Sequence, residues 1–256
     1  VSHEFSAPKI FAIDHENGFL LLEDLGDDTY GRVLAKEPKK ELELYEKACD
    51  SLLELHKISA PKDLPLYNNA TLFREVMLLV DWYLPLQGKK MSLQQISDFK
   101  FLWFELFDLL SKKEENISTV LRDYHADNLM ILPDRKGFKQ VGLLDFQDAL
   151  IGSKAYDLVS LLEDARRDLN QENRKKLFDY YLKKSVCDRD EFIRDYAILS
   201  LQRNIKILGI FARLSKRDCK HGYLKLMPRV LNFVKERIAT HDPDLNEISK
   251  FLKFFL

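Results

Sequence analysis

The stretch Leu121–Asp148, LRDYHADNLMILPDRKGFKQVGLLDFQD, constrains this chain more than any other. Two short apolar runs, Leu129–Leu132 and Val141–Leu144, flank a turn that carries Pro133 and Gly137. That pattern predicts a β-hairpin. Polar groups crowd its open end: Arg122-Asp123 and Asn128 precede the first run, and Asp145 follows the second. Antiparallel pairing brings Asp123, Asn128 and Asp145 to one mouth. Oxygen donors converging beside dry strands suit a hard divalent cation, most often Mg²⁺ bridging to phosphate.

Composition narrows the class. The 256 residues are 46% hydrophobic and 32% charged, as in a globular domain with a sizeable core. A formal net charge of -1 gives no electrostatic footprint for nucleic acid. Cys49, Cys187 and Cys219 are widely spaced and form no Cys-x-x-Cys, which argues for reduced thiols and against zinc. The most apolar stretch, Phe101–Leu110, is broken by Glu105 and Asp108 and is too short to span a bilayer. With no signal peptide visible, a cytoplasmic protein acting on a small molecule is expected, with neither membrane nor nucleic acid as partner. Oligomeric state is not legible.

The chain before the hairpin reads as two strands, Lys9–Ile13 and Phe19–Glu23, joined at Asn17-Gly18, the second of them buried. Helices come after them: one from Pro38 to about Ile58, and one from Asn68 or Asn69 to Tyr83. A third, Leu93–Leu110, opens on a Ser92/Gln95 capping box, and its aromatic stripe marks it as the buried centre of a helical lobe. Beyond the hairpin, Leu158, Leu161, Leu162, Ala165 and Leu169 mark a helix, and Asn170 caps Gln171–Ser185. Asp188 with Glu191 opens a long helix to about Arg213, Pro228 starts one to Ala239, and Asp244 with Glu247 caps the last.

The order Arg-Asp, four residues, Asn, then Asp-Phe is that of a kinase catalytic loop and its metal-binding aspartate. Leu121 stands where His is usual and Gln147 where Gly is usual. On this reading Asp123 accepts or orients the proton of the acceptor hydroxyl, and Asn128 and Asp145 hold the metal. The run ending in Glu23-Asp24-Leu25-Gly26 then looks like the last small-lobe strand and a hinge whose backbone meets an adenine edge. Asp-x-His (Asp123, His125) also opens metallophosphoesterase sites, but the other histidines lack the contexts a two-metal site needs. His125 is expected to bond within the loop. Asp148 is either a surface loop carboxylate or, in the kinase reading, faces the phosphates, a second metal or substrate, and Asp157 is an N-cap or a support for the loop backbone. Arg203, Lys206, Arg213 and Arg217 share an arc of about 80° on the long helix. By default this is a solvated basic face; the alternative is that part of it, Arg203 and the adjacent Asn204 included, contacts an anionic substrate.

Asp123-x-His125-x-x-Asn128 followed by Tyr156-Asp157-Leu158 resembles the aminoglycoside phosphotransferase and choline kinase family. FLLLEDLGDDTY, LLDFQDALIGSKAYDLVSLLEDARRDL and LQRNIKILGIFARLSKRD look like one branch of it, the bacterial kinases that phosphorylate the C1 hydroxyl of N-acetylmuramate and N-acetylglucosamine during peptidoglycan recycling. The resemblance implies an α+β, protein-kinase-like fold. Residues 1–26 are then the remnant of a truncated β small lobe and hinge, and 27–256 a mainly helical large lobe with the catalytic hairpin. It implies ATP and Mg²⁺, with Asp123 as base, Asn128 and Asp145 as metal ligands, and Glu23, Asp24 and Leu25 at the nucleotide. Kinases of aminoglycosides, choline or other alcohols are the alternative, as is an inactive binding module. The family's phosphate-covering loop and strand lysine have no counterpart before residue 23. About 70 or more residues upstream of Val1 are therefore expected in the complete protein, in preference to a pseudokinase.

Overall fold

Gly18, at φ 73°, closes the first hairpin, in which β1 (Ile10–Asp14) and β2 (Phe19–Leu22) pair antiparallel from Asp14↔Phe19 to Ile10↔Leu22. The structure, a computed structural model, describes residues 5–256; the first four residues of the expected 1–26 segment lie outside them. The turn is fixed by the Asp14 carboxylate, which accepts from the backbone N–H (3.0 Å) and the side-chain amide (2.9 Å) of Asn17. β2 is not the buried strand its composition predicts. Phe19–Leu22 are all exposed, Phe19 at 70%, because among the described residues no second layer covers this two-stranded ribbon.

Helices make up most of the remaining chain. α1 (Tyr30–Lys36), capped by Thr29, was not legible in the sequence. α2 (Glu41–Leu55) follows a Pro38 turn, and α3 (Asn69–Leu78) is capped by the Asn68 side chain. A π-turn over Leu79–Tyr83 and the single turn α4 (Leu84–Leu86) lead to α5 (Leu93–Asp108), where both bonds of the Ser92/Gln95 box are made. Four short strands come next: β3 (Ile117–Val120), β4 (Leu129–Ile131), β5 (Val141–Leu143) and β6 (Leu150–Ser153). β4 and β5 form the expected hairpin, Leu129↔Leu143 to Ile131↔Val141. β3 and β6, unforeseen, pair with each other across it. The rest is α6 (Ala155–Leu162), α7 (Gln171–Lys184), α8 (Arg189–Asp218), α9 (Met227–Ile238) and α10 (Asn246–Lys253).

The central helix is α8, not α5. Its 30 residues span about 45 Å and pack against α3, α6 and α9. α5 buries Phe99, Trp103, Leu106 and Phe107 but leaves Leu93, Phe101 and Phe104 in solvent. The polar run Gln202–Lys206 makes α8 look like a surface helix, yet these side chains are buried against polar partners on α3 and α6 and in the bend after α6. α8 crosses α3 at Gly209, where a Cβ would stand 2.4 Å from the Leu78 carbonyl carbon. Two further expectations are corrected. α6 stops at Leu162, and Ala165 and Leu169 lie in the bend beyond it. α10 begins at Asn246 without a side-chain cap, because the N-cap position falls on Leu245, which carries no acceptor, one residue beyond Asp244.

Candidate active site

The four-pair ladder of β3 and β6, Ile117↔Ser153 to Val120↔Leu150, clasps the base of residues 121–149. The segment leaves and returns at one place, with the β4–β5 hairpin inside it. Its first turn is then pinned residue by residue. Asp157, in the first turn of α6, accepts from the Leu121 N–H (2.6 Å) and the Arg122 N–H (2.8 Å), so it braces the loop and is not an N-cap. Ser160 Oγ donates to the Arg122 carbonyl at 3.3 Å, Tyr124 O–H to the Ala48 carbonyl at 2.9 Å, and the Ala126 N–H to Asp164 at 3.3 Å.

Arg122 needs this bracing. Its φ of 71° lies in the left-handed region, which costs a non-glycine residue about 1–3 kcal/mol. Its guanidinium reaches Glu75 at 2.6 Å. Glu75 is a buried hub that also accepts from Tyr67, Gln202 (2.9 Å) and Lys206 (3.1 Å). Burial works to raise its carboxyl pKa, but Lys206, Tyr67, Arg122 and Gln202 together outweigh it and hold the group below the usual range.

The three groups expected at the mouth do converge. Asn128 Nδ2 donates to the Asp123 carbonyl at 3.0 Å and lies 3.4 Å from Asp145 Oδ2. The Leu144 N–H donates to the Asn128 carbonyl, which ties the two strand ends together. Asp145 takes φ 58°, a conformation aspartate tolerates better than most side chains, and accepts from Gln147 at 2.6 Å. Asp123 and Asp145 are exposed. An amide and a carboxylate are hard oxygen donors, and two such side chains leave room for phosphate oxygens and water. They therefore fit a magnesium ion held jointly by protein and substrate. Among the described residues no cluster of three or more His, Cys, Asp or Glu offers a cation an all-protein cage.

A cavity of about 280 Å³ opens beside Asp123. The loop lines it with Asp123, Asp127, Asn128 and Asp145, and α8 with Arg203 and Lys206. Neither cation belongs to a solvated face: both are buried, because Ser160, Tyr156 and Glu75 supply partners. Asn204 does not reach the cavity. It is buried one step round the helix, and its amide donates to Glu163 at 2.6 Å. Asp148 is exposed and outside the lining. His125 is buried within the loop; burial, with Arg166 and Arg203 nearby, pushes its pKa down to about 3, so it is neutral.

Upstream, Glu23 exchanges contacts with Lys9 and pairs with Arg135 of the hairpin turn at 2.9 Å. Asp24 caps the Gly26 N–H, and Leu25 lies against Gly142 of β5. The segment Glu23–Leu25 is thus fastened to the β4–β5 hairpin. Sequence reading missed Glu75, Ser160, Asp164 and Arg166. Glu75 sits alone in a helical run, and nothing local marks it as a hub. The last three lie in the stretch after Asp157, where their partners are remote in sequence.

The phosphotransferase enzyme family profile matches residues 1–196. The N-acetylmuramate/N-acetylglucosamine kinase of Caulobacter vibrioides is 37% identical over 255 residues, covering 95% of this chain and 68% of that protein. The kinase of the same name from Pseudomonas aeruginosa is 35% identical over 254 residues, 96% of this chain and 72% of that protein. Among solved structures, a choline/ethanolamine kinase family protein from Mesorhizobium loti superposes with a TM-score of 0.63 at 12% identity, covering 97% of this chain and 78% of the other. ADP-bound aminoglycoside phosphotransferase APH(2'')-Ib gives 0.55 at 16% identity, covering 91% and 77%. These structures carry the fold: protein-kinase-like and α+β.

Proposed function

This chain belongs to the phosphotransferase enzyme family, and from that premise we propose that it transfers the γ-phosphoryl group of ATP to the anomeric hydroxyl of N-acetylmuramate or N-acetylglucosamine. The observation that carries this reading is the convergence of Asp123, Asn128 and Asp145 at one mouth, in a chain 33–37% identical to kinases named for those sugars. A place in cell-wall sugar recycling, in the cytoplasm, follows from it.

Asp123 accepts the proton of the C1 hydroxyl and aligns its oxygen for attack. Asn128 and Asp145 would hold Mg²⁺, which when bound neutralises charge on the nucleotide phosphates. The backbone of Glu23–Leu25 meets the adenine edge; the Glu23 N–H is engaged by Lys9, so Glu23 contributes its carbonyl. Full-length protein incubated with ATP, Mg²⁺ and either sugar should yield the sugar 1-phosphate, read as loss of the reducing end, and chelation should abolish the product. Absence of phosphorylation of both sugars would sink the substrate assignment.

Asp157 sets a pH dependence. Burial pushes its carboxyl up to about 7, against the pull of the Leu121 and Arg122 amides and of Arg203. Ionised, both oxygens accept those amides; protonated, one oxygen carries a hydrogen of its own toward an N–H. kcat should therefore rise as pH passes about 7 and fall below it. Stability runs the other way. The folded pKa lies above the unfolded one, so this group's contribution is full below about pH 4 and is lost as pH rises through about 7. Asp157→Asn removes the titration and should flatten the acid limb at a lower kcat. An unchanged limb in that variant assigns it to another group.

A further inference from the structure

The cavity beside Asp123 is chemically two-sided. Its loop side carries Asp123, Asp127 and Asp145; the side built by α8 and the bend after α6 carries Arg166, Arg203 and Lys206. Two of these cations are paired directly with a carboxylate. Lys206 Nζ is 3.1 Å from Glu75 and 3.0 Å from the Tyr156 hydroxyl. Arg166 lies a loose 3.8 Å from Asp127, with about a third of its side chain exposed.

Arg203 differs. It is 3% exposed, and Nη2 donates to Ser160 Oγ at 2.7 Å. Nη1 has no hydrogen-bond partner, and among the described residues no carboxylate lies within ion-pair distance of this guanidinium, although the buried Asp157 and Asp164 feel its charge. An unmade bond on a buried cation is costly, and a guanidinium beside a cavity is suited to a planar anion. The two sugars in the relatives' name differ by one substituent, a lactyl ether that ends in a carboxylate. Ile207 and Ile210 line the same cavity next to the cations and offer apolar contact for the lactyl methyl group.

We infer that Arg203, with Arg166, binds the carboxylate of an acidic acceptor sugar and so sets the preference for N-acetylmuramate over its neutral counterpart. The inference rests on the sugar-kinase reading. The rival anion is the transferring phosphoryl group, and contact with it would affect both acceptors alike.

The test compares kcat/KM for the two sugars in full-length protein, in Arg166→Met and in Arg203→Lys. The N-acetylmuramate to N-acetylglucosamine ratio is expected to fall about tenfold or more in each variant, mainly through KM for the acidic sugar. The unsubstituted protein should show the same loss with the methyl ester of N-acetylmuramate. That arm and the partly exposed Arg166 keep the test valid if Arg203→Lys fails to fold. An unchanged ratio, or an equal loss on both sugars, overturns the inference while the sugar-kinase reading stands. Failure of the unsubstituted protein to phosphorylate either sugar overturns that reading and the inference together.

Discussion

Asp123→Asn is expected to lower kcat by about 10²–10⁴-fold, the usual worth of a positioned general base in this kind of transfer. The amide cannot take the proton of the acceptor hydroxyl. The rest of the site should be undisturbed, because the loop is pinned through the backbone of Leu121, Arg122 and Ala126 and the Tyr124 hydroxyl, not through the Asp123 side chain. Asn128 likewise bonds the Asp123 carbonyl, which the substitution leaves in place. Nucleotide affinity and Tm should therefore stay close to those of the unsubstituted protein while turnover collapses. A variant that keeps a tenth or more of the original kcat would remove Asp123 from the chemistry.

Gly209→Ala is expected to destabilise the fold by about 3 kcal/mol, the upper end of ordinary overpacking costs. The new methyl carbon would stand 2.4 Å from both the carbonyl carbon and Cβ of Leu78 and 2.5 Å from its carbonyl oxygen. Two of those three atoms are backbone, so no rotamer change relieves the contact; α3 and α8 must move apart. For a chain of this size Tm should fall by about 6–12 °C. Gly222→Ala is the matched control, since a Cβ there meets nothing within 4 Å. Equal melting of the two variants would mean that the α3–α8 crossing is looser than this geometry requires.

Features with a local signature were legible in the sequence. Asn17-Gly18, the Ser92/Gln95 box, the Asn68, Asn170 and Asp188 caps and the Pro228 start all depend on residues within a turn of one another. The β4–β5 hairpin belongs with them, because its turn and its apolar runs are contiguous. What escaped depends on partners far along the chain. β3 and β6 are four residues each and become strands only by finding one another. Arg203 and Lys206 look solvated on a helical wheel, which cannot register Ser160 or Glu75. The same blindness exchanged the roles of α5 and α8. An aromatic stripe advertises burial, whereas a helix buried on every side and studded with paired polar groups does not.

The β3–β6 clasp gives residues 121–149 the character of a closed ring. Bringing the two ends of such a ring together carries a chain-entropy cost that grows only with the logarithm of its length, and the four-pair ladder meets that cost once for everything inside. Asp195 extends the seal by accepting from Ser153 at one end and Ser111 at the other, so α8 is fastened to the same knot. A ring sealed in this way opens as a unit. The amide hydrogens of Leu121, Arg122, Ala126 and Leu144 should exchange with solvent at one shared opening free energy, well above that of the exposed β1–β2 ribbon. Asp123, Asn128 and Asp145 thus share a single local folding event, and a chain that has placed one of them has placed them all.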